Sequence, residues 1–218
     1  GIAEAMRLYR TRLVGGDLSS SRSGFVVSAV IAGYAKNIIR RSGARPGDKI
    51  YVTGNLGDSA CGLELLRRIG RPLHIEKGES IDTPLRWSVM RPLLKRHLLP
   101  EAVNSLKFRN AATSMMDISD GLFIDLSRLC DESRVGARVH LRKIPVSRHM
   151  KDSAAFLDLN PYRLATTGGE DYELLFTASP KSKVSSICIG EITESERVIV
   201  GIDSWEKEFQ ASGFQHWH

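Results

Sequence analysis

The segment Met115-Met116-Asp117-Ile118-Ser119-Asp120-Gly121 runs directly into the pattern Leu122, Leu126, Leu129, Cys130, and this junction constrains the fold most. Met115, Met116 and Ile118 read as the end of a buried strand, and residues 122–133 place their apolar side chains on one face at helical spacing. A strand that turns into a helix at a glycine is half of an α/β unit. Such a turn is also an anion site, because main-chain N–H groups at a helix start carry the positive end of the macrodipole. Asp117 and Ser119 project to one side of an extended segment, and Asp120 enters the turn where Gly121 leaves room for close backbone approach. Two carboxylates there suit Mg²⁺ held against the phosphate oxygens of a nucleotide. The same residues also suit a plain helix N-cap, so the stretch alone leaves cap and ligand both open.

With 218 residues, 42% hydrophobic and 26% charged, the chain can bury the core of one large domain or one and a half. Cys61, Cys130 and Cys188 are far apart, odd in number and outside any CxxC spacing. They argue against a disulfide framework or a zinc site, and a reducing cytoplasm is the expected location. The longest apolar run, residues 25–35, is shorter than the roughly 20 residues a spanning helix needs. No basic segment followed by an apolar stretch opens the chain, so a soluble protein without a membrane partner is expected. The net charge of +6 raises nucleic acid as a partner, and basic residues cluster at Arg40-Arg41, Arg67-Arg68 and Arg142-Lys143. No aromatic residue is interleaved with them and no RRM, KH or zinc-finger signature appears, which favours anionic small molecules over nucleic acid.

Elsewhere the chain alternates helix and strand signals. Residues 3–9 read as a helix with no start signal, so the chain is expected to begin inside a domain. Gly15-Gly16-Asp17 is either a plain turn or a close backbone approach to a ligand with a carboxylate for a metal. Residues 25–33 look like a strand, and a domain boundary is expected within 38–46. Residues 49–54 form a strand that turns at Gly54-Asn55-Leu56-Gly57 into a helix, with Asp58 as its expected cap. The spacing there is neither GxGxxG nor GxxxxGK[ST], which excludes Rossmann and P-loop readings. Helices are expected over 84–98, 101–110 and 147–157, and strands over 112–118, 136–141, 187–192 and 198–202.

Residues 168–177 place a glycine pair and three carboxylates, Glu170, Asp171 and Glu173, at the mouth of an apolar strand. Such carboxylates need solvent, a cation or a metal. The six histidines show no HExxH spacing and are mostly expected at the surface. No GxSxG elbow or Cys-His nucleophile pattern appears either. Carboxylates beside glycine pairs suit phosphoryl transfer, where positioning and Mg²⁺ carry most of the catalysis.

Taken in order, LVGGD, RSGARPGD, YVTGNLGDSACGL, MDISDGL, TGGEDYELLFT, IGEIT and the terminal GFQHW resemble the thiamine-monophosphate kinase family of the aminoimidazole ribonucleotide synthetase superfamily. The resemblance spans essentially the whole chain, and TGGEDYELLFT is its most specific part. It implies an α/β fold of the α+β two-domain type, a mixed sheet covered by helices. The implied activity moves the γ-phosphoryl of ATP onto thiamine monophosphate to give thiamine diphosphate. Asp17, Asp117 and Asp120 would then be Mg²⁺ ligands, Gly16, Asp17, Arg41 and Ser119 would touch ATP, and Glu170 and Phe214 would face the substrate. A thiazolium cation suits a carboxylate and an aromatic face. The acceptor phosphate is already ionised, so no catalytic base is expected.

The resemblance further implies a homodimer formed through the first domain. Residues 1–37 would be the end of the ATP- and Mg²⁺-binding domain and 38–218 the second α/β domain. The family's leading acidic stretch has no counterpart here, so a catalytically silent chain is expected, as is the lack of a full helix between the 174–177 and 187–192 strands. Two alternatives remain: another synthetase of the superfamily, for selenophosphate or a purine-pathway intermediate, and a non-catalytic nucleotide-binding module.

Overall fold

The computed structural model describes residues 1–75, 81–201, 203, 206–209, 211 and 213. The chain divides into two units, Gly1–Lys36 and Asn37–His218. The first unit holds helix α1 (Ile2–Tyr9), which stops where Arg10 adopts a left-handed φ of 52°. The strand expected over 25–33 does not form: Phe25, Val30 and Ile31 are 91%, 94% and 88% exposed and belong to no sheet. Apolar, β-branched composition favours an extended chain, but a strand exists only where a partner takes up its N–H and C=O groups.

The second unit is built on a seven-stranded mixed sheet in the order β2-β4-β1-β5-β3-β6-β7. Its strands are β1 (Lys49–Val52), β2 (Ala112–Asp117), β3 (Gly136–His140), β4 (Leu174–Ala178), β5 (Ile187–Thr193), β6 (Arg197–Val200) and β7 (Glu206–Glu208). All pairs are antiparallel except β3 with β6. The helices are α2 (Asp58–Ile69), α3 (Trp87–Leu98), α4 (Leu122–Ser133), α5 (Arg148–Phe156) and α6 (Pro161–Thr167). The fold class is therefore the expected mixed sheet covered by helices.

Side-chain alternation along the strands sorts the core. Ile50, Val52, Leu175 and Ile189 join Leu65, Leu93, Leu94, Leu126 and Leu129 of the helices in the main cluster. Tyr51 and Phe176, offset by one residue, emerge on the other face. There the Phe176 ring stacks on Tyr51 at 5.3 Å and on Phe108 at 4.6 Å between centroids. Each fully buried side chain of this size contributes about 1.5–3 kcal/mol.

Several local expectations shift. The helix expected over 101–110 contracts to one 3₁₀ turn, Ser105–Phe108, opened by Asn104 Oδ1 accepting from the Leu106 N–H. Helix α6 was not anticipated, although Asn160-Pro161 carries its start signal. Asn160 Oδ1 accepts from the N–H groups of Tyr162 and Arg163, and Pro161 sits where no N–H is required. Residues 179–186 between β4 and β5 contain no helix, as expected. Among the described residues no helix is long and apolar enough to cross a membrane.

Candidate active site

Strand β2 ends at Asp117, the chain turns through Ile118-Ser119-Asp120-Gly121, and α4 begins at Leu122. The donors of this turn are already engaged. Asp125, one turn into α4 and fully buried, places Oδ2 to accept from the N–H groups of Ser119, Asp120 and Gly121 at 3.0, 3.0 and 3.2 Å. Its Oδ1 accepts from Arg128 at 2.8 Å. The cap of α4 is thus neither Ser119 nor Asp120, and the outward N–H groups expected to bind an anion are satisfied by Asp125. Burial raises the pKa of Asp125, opposed by the N–H bond from Asp120 and the nearby Arg128 charge. Asp120 is ion-paired with Arg128, and Asp117 stands half-buried opposite Leu174 in β4.

The loop 168–173 is laced to this turn. Glu170 N–H donates to Ser119 O at 2.7 Å, Tyr172 N–H to Ile118 O at 2.9 Å, and Ile118 N–H to Glu173 O at 2.8 Å. Gly169 passes so close that a Cβ there would lie 2.5 Å from Ser119 O. Glu170 and Tyr172 hold left-handed φ values of 67° and 50°, conformations that cost non-glycine residues energy and are held here by these bonds.

The three carboxylates of the loop have three different partners. Asp171 is fully buried, and it accepts from Gly57 N–H at 2.6 Å and Ser59 N–H at 3.2 Å. It, and not Asp58, supplies the acceptor at the start of α2. Asp58 is the first helical residue and accepts from the Ser147 hydroxyl at 2.7 Å. Glu173 pairs with Arg96 and accepts from the Thr53 hydroxyl. Glu170 alone is exposed, taking a 3.2 Å bond from the Tyr172 hydroxyl. Of the solvent, cation or metal expected for these carboxylates, Glu170 has solvent, while Asp171 and Glu173 are buried. A main-chain donor pair and an arginine from distant elements compensate them.

Turn, loop and helices enclose a cleft of about 260 Å³ lined by Ala60, Leu63, His97, Ser119, Asp120, Gly169 and Glu170. Ser119, Asp120 and Glu170, singled out from sequence on two motifs about fifty residues apart, thus share one site. Ala60, Leu63 and His97 were not read as site residues. The first two belong to the apolar pattern of α2, and His97 lies on α3 in no recognisable motif. Its Nδ1 is 3.0 Å from the Ser59 hydroxyl. A more open depression of about 640 Å³ along residues 195–198 and 206–208 carries none of the predicted residues.

Arg41 is not brought to this cleft by its backbone. Its carbonyl accepts from the Ser133 hydroxyl at the last residue of α4, about 17 Å along the helix from the turn at 1.5 Å per residue. Gly16 and Asp17 are exposed residues of the first unit, outside any helix or strand. Phe214 lies outside the described residues. Among the described residues no three His, Cys, Asp or Glu side chains gather as a metal cluster. The oxygen-only donors Asp117 and Asp120 still fit Mg²⁺, which commonly takes one or two carboxylates and fills its shell with water and phosphate oxygens.

Residues 45–203 match the family model of AIR synthase related protein, C-terminal domain, so the class defined by this sheet and its acidic turn is an AIR synthase-related domain. The chain is 34% identical over 223 residues to thiamine-monophosphate kinase of Buchnera aphidicola subsp. Schizaphis graminum, covering 95% of this chain and 64% of the relative. To the Aquifex aeolicus thiamine-monophosphate kinase it is 35% identical over 222 residues, covering 99% and 66%. A solved structure, AaThiL complexed with AMPPCP and TMP, matches with a TM-score of 0.79 at 31% identity, over 99% of this chain and 66% of that one. The chain belongs to the thiamine-monophosphate kinase family of AIR synthase-related proteins. It spans about two thirds of the length of the curated relatives it matches.

Proposed function

We propose that the protein is an ATP- and Mg²⁺-dependent kinase that phosphorylates thiamine monophosphate to thiamine diphosphate, acting as a cytoplasmic homodimer. The observation that carries this reading is the common cleft of Ser119, Asp120 and Glu170. The similarity to a kinase structure obtained with AMPPCP, an ATP analogue, and TMP supports the two ligands.

In this reading Ser119 contacts ATP, and Asp117 and Asp120 offer carboxylate oxygens to the metal. Gly16, Asp17 and Arg41 join them, and Phe214 joins the substrate pocket, through family resemblance alone. When bound, Mg²⁺ neutralises charge on the transferring phosphoryl oxygens. Arg128 orients the Asp120 carboxylate, and Asp125 holds the turn beneath it. Exposed Glu170 complements the cationic thiazolium, to which an aromatic face at Phe214 adds about 0.5–2 kcal/mol. The acceptor is an ionised phosphate, so positioning and charge complementarity do the catalysis without a general base.

A coupled assay for ADP release on the purified protein tests this, and turnover would overturn the catalytic silence expected where the family's leading acidic stretch has no counterpart. Turnover should require thiamine monophosphate, fail with thiamine, and stop when EDTA removes Mg²⁺. Turnover with a selenium or purine-pathway substrate in its place would reassign the protein within the superfamily. AMPPCP binding without any ADP release would make it a nucleotide-binding module.

A further inference from the structure

The cleft poses a donor problem. Asp120 and Glu170 both line it, and their charges disfavour an anion unless a cation intervenes. The N–H groups of Ser119, Asp120 and Gly121, the natural phosphate donors at a strand-to-helix turn, are spent on Asp125. Among the lining residues the remaining polar side chains are the Ser119 hydroxyl and the His97 imidazole.

The imidazole, carried on α3, is held by a side chain of α2. His97 Nδ1 lies 3.0 Å from the hydroxyl of buried Ser59, and the Ser59 N–H donates to Asp171 in the loop that carries Glu170. Helices α2 and α3 are in close contact at this point: a Cβ on Gly62 would lie 2.3 Å from Leu93 O and 3.2 Å from the His97 Cβ. When the Ser59 hydroxyl donates to Nδ1, the ring proton resides on Nε2, which is then a fixed N–H donor.

We propose that His97 is a further ligand-binding residue of this cleft, donating from its ring to a phosphoryl oxygen of the bound phosphorylated ligand. The inference rests on the kinase reading above and names the chemistry of that site. A phosphoryl oxygen is offered both by thiamine monophosphate and by the nucleotide, so the test separates the two sources. Ser59 acts as a positioning residue through the ring.

Isothermal titration calorimetry of the purified protein with thiamine monophosphate, thiamine and AMPPCP is the experiment. His97→Ala should weaken one of the two phosphorylated ligands by about tenfold, the usual effect of losing a hydrogen bond to a charged group, and leave thiamine within about twofold. Loss confined to thiamine monophosphate identifies the acceptor phosphate, and loss confined to AMPPCP identifies the nucleotide. His97→Gln, which keeps an N–H donor, should recover most of the affinity. If both phosphorylated ligands bind His97→Ala as they bind the wild type, or if thiamine weakens in parallel, the inference is overturned. If the wild type itself binds neither, the kinase reading fails and takes this inference with it. Should His97→Ala fail to fold, His97→Gln and Ser59→Ala decide. Ser59→Ala should cost a few-fold in the same ligand and His97→Gln little, while no loss in Ser59→Ala would overturn the proposal.

Discussion

Asp171 Oδ2 accepts a 2.6 Å hydrogen bond from the N–H of Gly57, a residue 114 positions earlier, and so joins the loop bearing Glu170 to the helix bearing Ala60 and Leu63. With the second bond from Ser59, a single buried carboxylate satisfies two donors at the start of α2. Asp171→Ala should leave both without an acceptor and cost about 2–5 kcal/mol of stability, read as a fall in the urea midpoint. Asp171→Asn retains one amide oxygen as acceptor and should cost less.

The same residue sets a pH dependence. Burial pushes Asp171 up to about 7, outweighing the two main-chain bonds that favour its charged form. An unfolded aspartate titrates near 3.9, so between about pH 4 and pH 7 the folded state binds the extra proton. The stability Asp171 contributes is full below pH 4 and is lost as pH rises through 7. Asp125 and Asp58, also raised chiefly by burial, act with the same sign. Urea midpoints should therefore decline across that window, and Asp171→Asn should flatten the decline. An unchanged slope in the variant would remove Asp171 as its source.

At the α4 turn the capping residue, Asp125, and the proposed metal ligand, Asp120, are different side chains. Asp125→Ala strands three N–H groups and the Arg128 bond, and should destabilise the protein by about 2–4 kcal/mol in a thermal melt. Asp120→Asn removes only the charge from a partly buried pairing with Arg128, worth about 1 kcal/mol, yet should lower the rate of ADP release at least tenfold, about 1.4 kcal/mol in the barrier. Full activity in Asp120→Asn would remove it from the metal site.

Glu170 has little structural work beyond its bond from Tyr172 and stands exposed in the cleft. Glu170→Gln should raise KM for thiamine monophosphate about fivefold or more with the melting temperature and the KM for ATP unchanged, the signature of lost substrate binding. A shift in the ATP constant alone would assign Glu170 to the nucleotide.

Much of the fold is legible where local pattern and tertiary demand agree. The passage from β2 into α4, the strand at Lys49–Val52 and the helix at Asp58–Ile69 all follow from period and turn chemistry. Helix α6 is equally legible in Asn160-Pro161, an asparagine cap followed by proline at the first helical position. The segment 25–33 has the composition of a strand and none of its ladder, because pairing is a property of two segments and composition is a property of one.

By itself the sequence determined the chemistry on offer and the lineage: an acidic turn before a helix, a glycine pair before three carboxylates, and the ordered motifs of one kinase family. Only the tertiary structure decided what each carboxylate does. Asp125 reaches back to cap the turn, Asp171 caps a helix from another part of the chain, Glu173 neutralises Arg96, and Asp120 and Glu170 are left to the cleft with His97 beside them. The physical reason is desolvation. A buried charge must be compensated by whichever donor lies within about 3 Å in space, and the residues that supply that donor bear no fixed spacing along the chain.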